Sequence, residues 1–112
     1  MKVLHLTLKK KWFDMISSGA KKEEYREIKP YWNLRLRTEY FDVVEFRNGY
    51  GKNVPSVTVE LLEINRGLGI IEWGAPEKTF VYILKLGRII PAGQNIVERC
   101  KARDHNPGPS KQ

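Results

Sequence analysis

The sequence predicts a small α+β domain in which a curved antiparallel sheet of about five to six strands closes toward a barrel, with helices on its flank. Three observations predict it. Five short segments alternate apolar and polar residues with the period of a half-buried strand, two early segments carry helical spacing, and most links between strands are turn-like. A parallel doubly wound sheet would need a crossover helix after most strands, whereas Asn48-Gly49, between the third and fourth strands, is a hairpin signal.

The first strand covers residues 3–8, with Leu4, Leu6 and Leu8 alternating against Val3, His5 and Thr7. A helix follows, because Leu8, Trp12, Met15 and Ile16 fall at i, i+4, i+7 and i+8 and make one apolar stripe. Ser17-Ser18-Gly19 stops it, the glycine being free to take the left-handed conformation after the last turn. Lys9, Lys10 and Lys11 crowd the helix start, where the macrodipole disfavours cations by about 0.3–1 kcal/mol each, and such a start invites an anion. Residues 21–28 read as the second strand, and Pro30 opens a short helix over 30–37, since proline suits the first helical turn. The third strand is 42–47 and the fourth 56–64, with Val57, Val59 and Leu61 on one face. A glycine-rich connection over 65–78 holds Trp73-Gly74, and the fifth strand, 79–86, sets Phe80, Tyr82, Leu84 and Leu86 on one face, with a short extension at 88–90. Trp12, Phe41, Phe46 and Phe80 occupy core positions of this pattern. One domain over 1–97 is expected, followed by a polar, flexible tail over 98–112 that contains Pro107, Gly108 and Pro109.

With 112 residues, the chain has room for one core and too little for two. Its 41% hydrophobic and 29% charged residues are those of a globular domain, and its longest apolar runs fall far short of the roughly 20 residues that span a bilayer. The start, Met1-Lys2-Val3-Leu4-His5, lacks the apolar region of a secretory signal, and Cys100 has no second cysteine to pair with. A cytoplasmic monomer with no membrane partner is the expectation. The net charge of +7 is concentrated at the ends: residues 1–11 carry +4 and residues 98–112 carry +2, leaving +1 for the middle. An anionic partner must therefore be argued from local clusters rather than from the overall charge.

The chemistry gathers in Gly19-Ala20-Lys21-Lys22-Glu23-Glu24-Tyr25-Arg26. On a strand, Glu24 and Arg26 share a face with Lys22, and Lys21 sits at the strand's mouth, just after the glycine turn. A surface ion-pair ladder has the same spacing as a ligand pocket, and both readings stay open on the residues alone. In a pocket, Arg26 is the phosphate or carboxylate contact, because its planar fork matches those groups. Glu24 orients it or accepts from a base edge, and Lys21 donates to a carbonyl or phosphate oxygen. Tyr31 and Trp32 at the second helix start, and Tyr50 in the loop between Arg47 and Lys52, offer aromatic faces for a nucleobase, with Arg47 adding positive potential. His5 and His105 stand too far apart in the chain for a zinc site, and Gly67-Leu68-Gly69 lacks the rest of a dinucleotide fingerprint. No metal and no cofactor is expected.

Leu6-x-Leu8 running into Lys9-Lys10-Lys11-Trp12-Phe13, then Gly19-x-Lys21-x-x-Glu24-x-Arg26, Lys29-Pro30-Tyr31-Trp32 and a strand ending in Arg47-Asn48-Gly49, together resemble the ASCH domain family of the PUA-like superfamily. The resemblance covers roughly residues 3–90. It implies a PUA-like β-barrel with a cleft bearing Lys21, Glu24 and Arg26, in which family members hold RNA or nucleotide-like ligands. One branch of the family hydrolyses the N4-acetyl group of acetylcytidine and another member is a ribonuclease. By that resemblance Lys21 and Glu24 are the catalytic pair if the protein is an enzyme, although the amidohydrolase branch has a threonine nucleophile where Glu24 stands here. The leading expectation is a binding module for RNA or a nucleotide-like ligand, the second a nucleoside or RNA hydrolase using Lys21, and the third a protein-interaction module.

Overall fold

The computed structural model describes residues 2–91, in the order β1 (Val3–Leu8), α1 (Lys10–Ser17), β2 (Glu23–Glu27), α2 (Pro30–Thr38), β3 (Val43–Asn48), β4 (Ser56–Leu68), a 3-10 turn (Ile71–Trp73) and β5 (Phe80–Ile90). The five strands form one sheet in the order β1-β3-β4-β5-β2. The domain end at 97, the tail over 98–112, Cys100 and His105 lie outside the described residues.

The α+β class and the five strands stand, but the sheet is mixed rather than antiparallel. β1 runs parallel to β3, from Val3 opposite Val43 to Leu8 opposite Asn48, while the β3–β4, β4–β5 and β2–β5 pairs are antiparallel. The reason lies in what separates β1 from β3. A parallel neighbour needs a long crossover, and α1, β2 and α2 supply one: the chain travels to the far edge, lays β2 against β5, and returns through α2. Apolar alternation locates a strand but is blind to its direction.

The curl of the sheet comes from its two longest strands. β4 has 13 residues and β5 has 11, and their register slips between Val59 and Leu61 and again between Leu61 and Glu63. Such bulges bend a strand and increase its twist, turning the sheet into a half-barrel. Inside the curl, Leu4, Leu6 and Leu8 of β1 meet Val44 and Phe46 of β3, Val59 and Leu61 of β4, and Leu84 and Leu86 of β5. α1 contributes Phe13 and Ile16, one turn apart on its apolar face. Each fully buried Leu, Ile or Phe contributes roughly 1.5–3 kcal/mol. The left-handed turn expected at Gly19 is present, with φ +87.

Other boundaries moved. β4 was expected to end at 64 and continues to Leu68, because Asn65, Arg66 and Gly67 find ladder partners in Ile83, Tyr82 and Val81 despite their loop-like composition. β5 absorbs the separate extension at 88–90. Phe80, expected in the core, is 63% exposed opposite Leu68, because that end of the β4–β5 ladder runs past the core. The strand expected over 21–28 shrinks to Glu23–Glu27, which leaves Lys22 exposed ahead of it and Lys21 in the preceding turn. No helix among the described residues is long and apolar enough to cross a membrane.

After β4 the chain folds back onto β2. A β-carbon at Gly69 would lie 2.6 Å from Tyr25 Cε1 and 2.7 Å from Ala75 Cβ, so this approach accepts no side chain. Gly69→Ala is expected to lower the unfolding free energy by about 1–3 kcal/mol, the usual cost of overpacking, as a drop in the urea midpoint.

Candidate functional site

The left-handed Gly19 reverses the chain after α1, and the Lys21 amide donates to the Met15 carbonyl at 3.0 Å. That reversal feeds the Lys21 side chain inward beneath the 3-10 turn instead of out to solvent. Its Nζ donates to the Glu23 and Trp73 carbonyls, both at 2.6 Å, and lies 3.4 Å from Glu24 Oε1. The ammonium also stands 4.7 Å from the Tyr25 ring centre and 5.5 Å from that of Trp12. Lys21 is 2% exposed. Burial pushes its pKa below the ordinary lysine value, and the adjacent Glu24 works in the opposite direction.

Glu24 faces the interior opposite Leu84 and is 5% exposed. Its second oxygen accepts from Arg26 Nη2 at 2.7 Å, so each carboxylate oxygen meets one cation. Arg26, opposite Tyr82 and further along β2, keeps 21% of its side chain exposed. Its Nη2 also donates to the Thr7 carbonyl at 3.4 Å, spanning the seam between β2 and β1, the two edges of the sheet. The guanidinium sits 5.3 Å from the Trp32 ring centre. Arg26 Nε is buried without a hydrogen-bond partner among the described residues.

On the other face of β2, Tyr25 donates its hydroxyl hydrogen to Glu23 Oε1 at 2.7 Å and accepts from the Ile70 amide at 3.0 Å. Lys85 lies 3.6 Å from Glu23 Oε2. Burial raises the Tyr25 pKa well above the ordinary tyrosine value; Glu23 adds to that effect and the Ile70 amide opposes it.

Lys21, Glu24 and Arg26 therefore form one continuous ion cluster, with Trp32 packed against its outer end and against the core. Tyr31 is 55% exposed and meets Trp32 edge-to-face, with centroids 4.7 Å apart. A hydrogen bond from Tyr82 to Asn33 fixes α2 over this part of the sheet. Arg47 and Tyr50 stand apart from the cluster. Arg47 donates to the Gly51 and Lys52 carbonyls and so closes its own loop, while Tyr50 is 90% exposed. Their loop is tied to the end of β1 by the Gly49 amide on the Leu8 carbonyl at 3.1 Å, close in sequence to the Thr7 carbonyl that Arg26 uses. Lys10 at the α1 start pairs with Asp14 at 2.6 Å, and Lys11 lies 4.6 Å from the Trp12 ring centre.

The sequence did not point to the Thr7 and Trp73 carbonyls, because backbone acceptors carry no residue signature. Tyr25 lies inside the eight-residue motif, and its hydroxyl ties β2 to the segment after β4. Comparison of the chain with protein-family models, with curated proteins and with solved structures finds no match.

Two outcomes follow from this geometry. Glu24→Gln removes the carboxylate that bridges the buried Lys21 and the part-buried Arg26 and is expected to cost about 3–5 kcal/mol in urea unfolding. Tyr25→Phe is expected to cost about 1 kcal/mol near neutral pH by removing the hydroxyl bonds. Because the folded pKa of Tyr25 is raised, that contribution is complete below pH 10 and fades as the pH climbs from 10 toward the folded value. The stability gap between wild type and Tyr25→Phe should accordingly narrow above pH 10.

Proposed function

We propose that the chain is an ASCH-like, PUA-like binding module that holds single-stranded RNA or a nucleotide-like ligand at the Arg26 end of the ion cluster. The observation that carries this reading is the state of Arg26: a part-exposed side chain at the seam, beside an aromatic ring, with its buried Nε still unpartnered among the described residues. Both Glu24 oxygens are already engaged, so the group that remains for a ligand is a donor, and the ligand must bring an acceptor. Phosphate oxygens and base carbonyls are such acceptors, and the guanidinium fork suits both. Tyr31 adds an exposed ring near Trp32, and Lys9 and Lys52 add positive charge where β1 and β3 end. Stacking of a base on such a ring contributes about 1–3 kcal/mol. In this reading Lys21 and Glu24 are positioning residues that hold Arg26 in place.

A hydrolytic reading draws on Lys21, whose lowered pKa is a property of nucleophilic lysines. Its bonds to two carbonyls and its contact with Glu24 hold the ammonium away from solvent, which is why binding takes precedence.

Arg26→Ala leaves the Lys21–Glu24 pair in place, so the fold should persist by circular dichroism. Titration with a short mixed-sequence RNA should show binding weakened roughly tenfold or more, the loss of one charge-assisted hydrogen bond. Wild-type affinity should fall as salt rises. Unchanged affinity in the variant, or affinity indifferent to salt, overturns the binding reading. Turnover of N4-acetylcytidine in a parallel sample, abolished by Lys21→Met, would move the conclusion to catalysis.

A further inference from the structure

Past the core, the register of the sheet fixes two neighbouring rows of side chains on its concave face. Tyr82 of β5 stands opposite Arg26 of β2 on one side and Arg66 of β4 on the other, so these three form the first row. Two residues along β5, Phe80 stands opposite Leu68. Continuing the β2–β5 register past Glu27, which faces Val81, brings Ile28 alongside Phe80 and makes the second row apolar. Strand residues directly opposite one another, or two apart along one strand, share a face.

The rows differ in what covers them. Tyr82 is 2% exposed beneath α2, where Asn33 accepts its hydroxyl hydrogen, whereas Phe80 is 63% exposed, Leu68 60% and Ile28 37%. Arg66 is exposed as well, and its guanidinium has no ion pair or hydrogen bond among the described residues. The open Phe80 ring therefore has an arginine diagonal to it on each side. Diagonal neighbours on a sheet have Cα atoms roughly 7–8 Å apart, within reach of long and aromatic side chains. Glu27, the acid beside Ile28, alternates to the other face and pairs with Lys29 at 3.1 Å.

An aromatic ring bracketed by two cations on a concave surface narrows the occupant. A flat bilayer does not enter a concave face, and an apolar protein surface would leave the arginine row without acceptors. A single nucleic-acid strand supplies both needs: a base with a π-face for the ring, and a phosphate on either side of that base for the guanidiniums. We propose that Phe80 is the stacking platform for an internal nucleotide of a single strand, whose two flanking phosphates meet Arg26 and Arg66. The inference rests on the RNA-binding reading of Arg26 and narrows it, because a ligand that uses both arginines is a strand and not a free mononucleotide.

The test is a titration of the full chain with a short single-stranded RNA, repeated with the same strand made abasic and with the same sequence as a duplex. Phe80→Ala should weaken binding of the intact single strand roughly tenfold, in the range for loss of one stacked base, and Phe80→Trp should retain it. The abasic strand and the duplex offer no unstacked base, so neither should distinguish Phe80→Ala from wild type. Arg66→Gln should make the fall of log affinity with log salt less steep by about 0.7, the loss of one phosphate contact on a single strand. Both side chains are exposed, so circular dichroism should be unchanged in each variant. A wild type that does not bind RNA overturns the Arg26 reading and this one together. Weakened binding in Arg26→Ala, with Phe80→Ala and Arg66→Gln binding as wild type does, overturns this inference alone. So does an equal loss of intact and abasic strands in Phe80→Ala, which would make the ring a support for the fold. A dimer that Phe80→Ala dissociates with RNA affinity unchanged would give the apolar row to a second copy and overturn it too.

Discussion

The Glu24 carboxylate holds this architecture together electrostatically. Two cations enter the interior beside it, and the acceptors they otherwise reach are neutral carbonyls: Glu23 and Trp73 for Lys21, Thr7 for Arg26. A carbonyl accepts a hydrogen bond but does not neutralise a charge, and an unneutralised buried charge costs several kcal/mol. Glu24 therefore makes the burial of Lys21 and the part-burial of Arg26 tolerable. Through them it connects parts of the chain that are distant in sequence, the 3-10 turn by way of Lys21 and the opposite sheet edge by way of Arg26. The position of Glu24 depends in turn on the sheet, because pairing of β2 with β5 aims the side chain inward opposite Leu84.

The same dependence explains the shape of the molecule. A five-stranded sheet with β1 and β2 at its edges has two rows of unpaired backbone groups, and curling brings those rows toward each other. The edges do not pair as strands. Instead Arg26 reaches from β2 to the Thr7 carbonyl, so a side chain spans the seam where a ladder would close a full barrel. The bulges in β4 supply the bend, the parallel β1–β3 pair puts β1 at the far edge, and α2 lies over the seam through Asn33 and Trp32. A seam spanned by one polar side chain leaves part of the Arg26 side chain exposed, where a closed ladder would cover it.

Within the cluster the two cations are placed for different work. Lys21 is enclosed, its donors turned to two carbonyls and a carboxylate, with aromatic rings nearby; Arg26 is part-exposed, and its unpartnered Nε lies on the buried side. Burial decides the difference, since both start from the same eight-residue stretch. The basic character of the whole chain matters less than this placement. Lys10 is already neutralised by Asp14, and Arg47 is committed to its own loop, so net charge counts cations that a ligand would find occupied.

Much of the fold was legible in the sequence because its cues are local. Alternating Leu4, Leu6 and Leu8, the turn at Gly19, Pro30 at a helix start and the Asn48-Gly49 turn each act over a few residues, and each appears where expected. The motif also marked Lys21, Glu24 and Arg26 as a group, since their spacing around one strand is itself local. Strand direction was not legible, because apolar periodicity is the same in either direction and only the crossover through β2 and α2 makes β1 parallel to β3. Nor was the extension of β4 through Asn65, Arg66 and Gly67, which their partners on β5 impose. The roles of Lys21 and Arg26 were likewise decided in three dimensions. Which lysine is buried depends on how the turn after α1 tucks under Trp73, and which arginine spans the seam depends on how far the sheet curls. Sequence sets the residues and their near-neighbour geometry, whereas burial and the backbone carbonyls that meet each cation arise only when distant segments pack.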